Sequence, residues 1–229
     1  MNNTTIYNRQ RDSGSPQLPT SRGASAQERS VFAVLRGLVP RRLLTGQEAE
    51  LVAELQANRL LELAGLPQAP IPNELITELP RVSVRLDPDL PVSGSAQWIN
   101  GRWLLSINSA EPWRRQRFSL AHELKHVLDH PLVDVIYAGP EAAEQMADQF
   151  AGCLLMPRRI LKRAWGQGTQ SLSDLADLFG VSERAVAVRL EHLGLRAPLV
   201  RHQQPSIHPT RPRGQYHRSR GALFLGVTA

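Results

Sequence analysis

Five consecutive residues constrain this chain more than any other feature of its sequence: His122-Glu123-Leu124-Lys125-His126. Residues i and i+4 of an α-helix lie one above the other on one face, so two imidazoles at this spacing can hold a single Zn²⁺. The carboxylate that follows the first histidine is placed to take a proton from a water that the metal activates. The run therefore predicts a metal-binding helix in a hydrolase, with His122 and His126 as ligands and Glu123 as the base.

The residues around this run support a helix at the same position. Apolar residues accompany the two histidines with helical spacing, and Pro131 marks the predicted end of the helix. The apolar stripe consists of Phe118, Leu120, Ala121, Leu124, Val127 and Leu128. The alternative interpretation is an ordinary amphipathic helix with two histidines on its surface, and a third metal ligand elsewhere in the chain would separate the two.

A second helix is expected to supply that third ligand. One common zinc-peptidase pattern places a histidine six residues after the second one, but that position holds Leu132. Residues 141–157 instead have helical periodicity and end at Pro157. A carboxylate from this helix is the remaining source of a ligand.

Three acidic residues of the second helix are candidates. Glu144 and Asp148 are four residues apart and share one side of the helix. We interpret Glu144 as the third ligand and Asp148 as the acceptor for the ring N–H of a ligand histidine. Glu141 is the main alternative ligand, and the competing interpretation makes Glu144 and Asp148 solvated surface acids.

Three segments of the chain are specific enough to compare with a known family: Arg115-Gln-Arg-Phe-Ser-Leu-Ala-His-Glu-Leu-Lys-His126, Glu144-Gln-Met-Ala-Asp-Gln-Phe-Ala151 and Leu154-Leu-Met-Pro157. Together they resemble the ImmA/IrrE family of metallopeptidases. The resemblance spans residues 48–195 and is most specific over 115–157. It implies zinc bound by His122, His126 and Glu144, with Glu123 as base. We expect one Zn²⁺ per chain, or Mn²⁺ under some conditions.

Two further residues of the first helix need their own interpretation. Lys125 stands where the resembled family usually has glycine, and a long cation there could alter substrate choice or weaken zinc binding. Its position does not require it to face the metal. His130 continues the i, i+4 row beyond His126, so we expect it to contact a ligand residue or the substrate; the alternative is a role at the C-terminal end of the helix.

The net charge of +6 is concentrated at the two ends of the chain. Residues 199–229 contain five arginines and no acidic residue, residues 1–30 carry a net +2, and −1 remains for residues 31–198. The central part is therefore not a basic nucleic-acid platform, and we expect at most weak, non-specific nucleic-acid binding through the tail. No apolar run approaches the roughly 20 residues that span a bilayer, and the first residues form no signal core. We expect a cytoplasmic protein without membrane contact.

The pattern along the chain predicts four segments. Residues 1–30 and the basic tail over 199–229 lack periodicity and are expected to be disordered. Between them we expect a zincin-like metallopeptidase domain over 31–165 and a helix-turn-helix-like helical segment over 166–198. Alternating strand-like runs around Asn100-Gly101 predict a small antiparallel sheet ahead of the active-site helices. The predicted fold class is α+β.

The helix-turn-helix-like segment raises the question of DNA contact. Ser171 and Ser182 are predicted helix caps, and Gly180 lies in the turn between the two helices. If the second helix contacts DNA, Arg184 and Arg189 are the candidate residues. The alternative is a helical hairpin packed on the peptidase body.

Two functional classes remain. The first is a zinc-dependent endopeptidase; the family resemblance implies that its substrate is a helix-turn-helix transcriptional repressor, encoded alongside it and cut in a stress or mobile-element response. The second is a DNA-binding regulator or toxin–antitoxin-type partner protein with a non-catalytic zinc site. A structural zinc site closes with four protein ligands and needs no base. The presence of Glu123 and of a single cysteine, Cys153, favours catalysis.

Overall fold

The computed structural model describes residues 30–66 and 68–195. Within them the chain forms helices and a small sheet, which confirms the predicted α+β class. The elements in chain order are α1 (Val31–Arg36), α2 (Gly46–Ala64), α3 (Glu74–Thr77), β1 (Val82–Asp87), β2 (Gly94–Ile99), β3 (Arg102–Asn108), α4 (Trp113–Asp129), α5 (Val133–Ile136), α6 (Pro140–Leu155), α7 (Arg158–Gly166), α8 (Leu172–Phe179) and α9 (Glu183–His192). The end segments that were predicted to be disordered lie, apart from Ser30, outside the described residues.

Side-chain caps fix where several of these helices begin. Thr45 Oγ1 accepts a hydrogen bond from the backbone N–H of Glu48, and Glu48 Oε2 accepts one from the backbone N–H of Thr45 at 2.9 Å. This reciprocal pair satisfies two N–H groups that a helix start otherwise leaves unbonded. Ser171 and Ser182 cap α8 and α9 more simply, each accepting one hydrogen bond from a backbone N–H of its helix.

The three strands form a mixed sheet in the order β1-β3-β2. Strands β2 and β3 are antiparallel and joined at Asn100 and Gly101, whose φ values of 50° and 77° confirm the predicted tight turn. Strand β1, however, runs parallel to β3, so the prediction of a wholly antiparallel sheet is wrong for this pair. The reason is that β3 inserts between β1 and β2, which leaves β2 at an edge of the sheet.

Helix α4 lies at the centre of the described part of the molecule. Every residue from Ser119 to Asp129 is buried, because α4 packs against α6, against the strands β2 and β3, and against α1. Helices α8 and α9 contribute to the same hydrophobic core as α2, α4 and α6. Representative members of that core are Leu60, Leu105, Leu124, Phe150, Leu175, Phe179, Val186 and Leu190. The polar residues of α4 are therefore held in a rigid, largely dry setting.

No helix among the described residues is both long enough and apolar enough to cross a membrane.

Candidate metal centre

The metal-binding atoms predicted from the sequence lie together between α4 and α6. His122 and His126 project from one face of α4, and their Nε2 atoms are 3.0 Å apart. The carboxylate of Glu144 on α6 reaches both rings, with Oε2 3.2 Å from His122 Nε2 and Oε1 3.4 Å from His126 Nε2. These three residues form a group whose candidate ligand atoms all lie within 4.8 Å of one another. Glu141, the alternative ligand, is exposed and outside this group.

The donor set fits a divalent metal such as zinc. Two imidazoles and one carboxylate are ligand types that zinc accepts, and zinc–nitrogen bonds of about 2.0–2.1 Å allow ligand atoms to be up to about 4 Å apart. Glu144 Oε2 is buried and, apart from its contact with His122 Nε2 at 3.2 Å, has no hydrogen-bond partner within the described residues. A buried carboxylate oxygen without a partner is costly, and a cation among the three ligands would remove that cost.

The pKa values of the two histidines move in opposite directions. Burial disfavours the charged form of both rings, but the carboxylates of Asp148 and Glu144 outweigh it at His122 and raise its pKa to about 9. Burial, with the positive charges of His122 and Lys125, lowers the pKa of His126 to about 3. Two imidazoles this close repel each other if both are positively charged. A bound divalent cation would favour the neutral form of both rings, as metal ligation requires.

Asp148 orients one of the two rings. Its Oδ1 accepts a hydrogen bond from Nδ1 of His122 at 2.8 Å, which leaves Nε2 directed toward Glu144 and His126. A carboxylate in this position selects the ring tautomer that a metal needs. Asp148 is itself 60% exposed, so this hydrogen bond lies at the rim of the site.

Glu123 lies against the start of strand β2. Its side chain is only 2% exposed, and its Oε2 has no hydrogen-bond partner among the described residues. Burial raises the pKa of this carboxyl to about 7, and the negative charge of Glu144 adds to the shift, while the positive charge of His122 opposes it. A carboxylate in this setting is a proton acceptor poised near neutral pH.

His130 does not join the candidate ligands. It follows the last residue of α4 and is exposed, and its ring packs edge-on against Trp103 with 5.0 Å between ring centroids. It is outside the group formed by His122, His126 and Glu144. His130 therefore lies at the end of α4, in contact with Trp103 of strand β3.

Lys125 belongs to a second buried cluster of α4. The side chain is 1% exposed, and Nζ donates to Gln56 Oε1 at 2.7 Å and to Asp129 Oδ1 at 2.9 Å. The hydroxyl of Tyr137 donates to the other oxygen of Asp129. The sequence singles out Lys125 but does not indicate Gln56 or Tyr137 as part of its cluster; for Asp129 the i, i+4 spacing is a usable signal.

The two arginines predicted to contact DNA have different surroundings. Arg184 is exposed on α9. Arg189, by contrast, is 3% exposed, and its guanidinium donates to the backbone oxygen of Met156 at 3.2 Å and to Glu54 Oε1 at 3.3 Å. Arg189, a candidate if the second helix contacts DNA, is therefore not available to DNA here, because its donors attach α9 to α2 and to the end of α6.

A comparison with protein families identifies the region around this site. Residues 83–191 match a peptidase family model described as IrrE N-terminal-like domain. This match supports the resemblance of the region to the ImmA/IrrE family. The ImmA/IrrE match contains β2, β3, α4 and α6, and thus every residue of the candidate metal centre.

The chain was also compared with solved structures and with curated proteins. A solved structure of a Mycobacterium tuberculosis transcriptional regulator is 22% identical in sequence, with a TM-score of 0.48, over 70% of this chain and 52% of that one. The chain thus spans about half the length of that regulator. No match was found among curated proteins.

Proposed function

We propose that this protein is a zinc-dependent endopeptidase in which His122, His126 and Glu144 hold the metal and Glu123 is the general base. The observation that carries the proposal is the pairing of a complete donor set with an adjacent buried carboxylate whose Oε2 has no hydrogen-bond partner among the described residues. A structural metal site has no need of such a carboxylate. When bound, zinc would supply Lewis-acid polarisation of the peptide carbonyl and acidify water.

Glu123 performs the proton transfers in this proposal. Its burial keeps its pKa near neutral, so the carboxylate can accept a proton from water and then donate it to the amine that leaves. His122 is held in one orientation by Asp148, and Glu144 is brought to the histidines by the packing of α6 on α4. The chain's own residues thus provide both the base and a fixed frame for it.

The edge strand offers a place for an extended peptide. Ser93 accepts a backbone hydrogen bond from Asn108 at 3.0 Å, and antiparallel pairing then turns the backbone groups of Gly94, Ala96 and Trp98 away from β3. Within residues 30–66 and 68–195 no other strand pairs with that edge. An added peptide strand would hydrogen-bond along it, close to Glu123, which favours cleavage within a chain.

The substrate and the metal are proposed on the family resemblance. That resemblance supports a helix-turn-helix transcriptional repressor, encoded alongside this protein and cut in a stress or mobile-element response. It also supports zinc as the physiological metal, with Mn²⁺ as the alternative. Of the two arginines considered for DNA contact, the competing function, a DNA-binding regulator with a non-catalytic site, keeps only the exposed Arg184, since Arg189 is buried.

A cleavage assay with purified components tests the proposal. The protein, stripped of metal and reloaded with Zn²⁺ or Mn²⁺, is incubated with the repressor encoded beside it, and fragments are identified by mass spectrometry. We expect one or a few discrete cuts that a chelator abolishes and added metal restores. Intact repressor after incubation with fully loaded protein, together with sequence-specific DNA binding, would favour the regulator instead.

A further inference from the structure

Strand β2 touches the proposed base at a residue that has no side chain. Gly94 is buried at the start of β2. A Cβ built at this position would lie 2.8 Å from Glu123 Oε1, 2.9 Å from Cγ and 3.2 Å from Cδ. Real Cβ atoms essentially never come within 3.0 Å of another heavy atom, so any side chain here would have to displace Glu123 or the strand.

Backbone conformation does not explain the glycine. The described glycines with φ in the left-handed region that side chains avoid are Gly65, Gly101, Gly168, Gly180 and Gly194. Gly94 is not among them, so an alanine at this position would meet no backbone strain. What Gly94 supplies is space.

The strand is less free to move than the side chain. The backbone of Ser93 accepts a hydrogen bond from Asn108, its hydroxyl donates to Glu111 at 2.8 Å, and Gly94 is in register with the buried Ile107. The Glu123 carboxylate has no comparable restraint at Oε2. An added methyl group at position 94 would therefore move the carboxylate before it moved the strand.

We propose that Gly94 is the positioning residue for Glu123, an inference that rests on the proposed peptidase function. Because Gly94 has no side chain, strand β2 can lie directly against the Glu123 carboxylate. The strand then confines this carboxylate beside the unpaired edge of β2, where the substrate peptide is proposed to bind. The three heavy atoms nearest to an added Cβ at position 94 all belong to Glu123, and none belongs to a metal ligand. The proposal therefore separates proton transfer, which Gly94 controls, from metal binding, which it does not.

The contact can be tested through stability, without any substrate. Gly94→Ala is introduced into the wild-type protein and into Glu123→Ala, which removes the atoms that the methyl group would strike. We expect Gly94→Ala to lower the urea midpoint clearly in the first background and little in the second. Equal losses in both backgrounds would overturn the proposal. Gly152→Ala is the matched control, because nothing lies within 4 Å of a Cβ at that position.

Failure to fold also gives a decision. If Gly94→Ala is unfolded while the double variant with Glu123→Ala folds, the clash with Glu123 is the cause and the proposal stands. If the double variant is unfolded as well, the strand itself requires the glycine and the proposal is wrong.

Cleavage and zinc content form the second readout. We expect Gly94→Ala to keep the zinc stoichiometry of the wild type but to cleave the repressor about 100-fold more slowly, approaching the loss expected for removal of a general base. In a Glu123→Gln background it should add no further loss. Cleavage within threefold of wild type by a folded Gly94→Ala protein would overturn the positioning role and leave the peptidase function intact. If the wild type cleaves nothing, the peptidase function fails, and the stability cycle alone decides whether Gly94 confines Glu123.

Discussion

Helix α4 buries charged residues on two of its faces, and the two clusters are completed differently. One face carries His122 and His126, and the other carries Lys125 and Asp129; both pairs have i, i+4 spacing. Lys125, Asp129 and their neighbours Gln56 and Tyr137 are joined by hydrogen bonds. On the metal face, by contrast, Glu123 Oε2 is buried with no hydrogen-bond partner in the described residues, and Glu144 Oε2 has only its contact with His122.

This contrast separates a structural cluster from a functional one. A buried polar group without a partner costs free energy, so a stable fold retains one mainly where a ligand or a reaction uses it. The two clusters have the same i, i+4 spacing on α4, and the α4 residues of both are buried. Hydrogen-bond satisfaction is the feature that distinguishes these residues. The comparison makes opposite predictions for the two faces: substitutions on one should remove metal or catalysis, and substitutions on the other should remove stability.

Loss of a metal ligand should have the largest effect. His122→Ala, His126→Ala and Glu144→Gln should each lower zinc affinity by more than about 100-fold, the upper end of what loss of a residue supporting a ligand costs. Zinc content after dialysis measures this. Glu141→Gln removes an exposed acid from the same helix and should keep its zinc. Full zinc occupancy in Glu144→Gln together with loss of zinc in Glu141→Gln would show that Glu141, and not Glu144, is the third ligand.

Loss of the base should leave the metal in place. The Glu123→Gln side chain has almost the same shape but cannot accept a proton, so cleavage should fall by roughly 10²–10⁴-fold while zinc content and the urea midpoint stay close to wild type. Mass spectrometry of repressor fragments over time gives the rate. Undiminished cleavage would remove Glu123 from the mechanism and would leave its unpaired oxygen unexplained.

The other face should respond in stability only. Lys125→Met leaves Asp129 buried and without its cation, which should cost about 3–5 kcal/mol in the free energy of unfolding. Lys125→Met combined with Asp129→Leu should recover most of that loss, since neither charge then remains. Urea denaturation measures both variants. A folded Lys125→Met protein that loses zinc but little stability would show that this cluster serves the metal after all.

The features that the sequence predicted are local ones. The metal helix, the caps at Ser171 and Ser182 and the turn at Asn100-Gly101 each depend on residues within a few positions of one another, and the structure contains all of them. The approach of Glu144 to the histidines was also expected, because two helices with charged residues at helical spacing leave few ways to complete a metal site. In this respect a short sequence pattern constrains a long-range contact.

Contacts between distant segments had no local signal. The insertion of β3 beside β1 depends on how the hairpin packs, and nothing in the strand sequences indicates it. Arg189 bonds Glu54, 135 residues away, and Lys125 bonds Gln56, 69 residues away. Gly94 also had no local signal, because the need for a residue without a side chain arises only from the close approach of β2 to Glu123.

The smallest expected effect concerns the hydrogen bond from His122 to Asp148 on the metal face. Asp148→Asn keeps an oxygen that can accept from His122 but loses the negative charge, so zinc affinity should fall toward the lower end of a 10–100-fold range, about tenfold, because Asp148 is 60% exposed. Competition with a chromophoric chelator gives the zinc dissociation constant. Glu141→Gln is the matched control, since it removes the same charge from the same helix without touching a ligand. If the two variants weaken zinc binding equally, Asp148 acts only through its distant charge. If only Asp148→Asn weakens zinc binding, the hydrogen bond between His122 and Asp148 orients the ring. At this edge of the metal face, a protein group then satisfies the buried side chain, as happens throughout the Lys125 cluster.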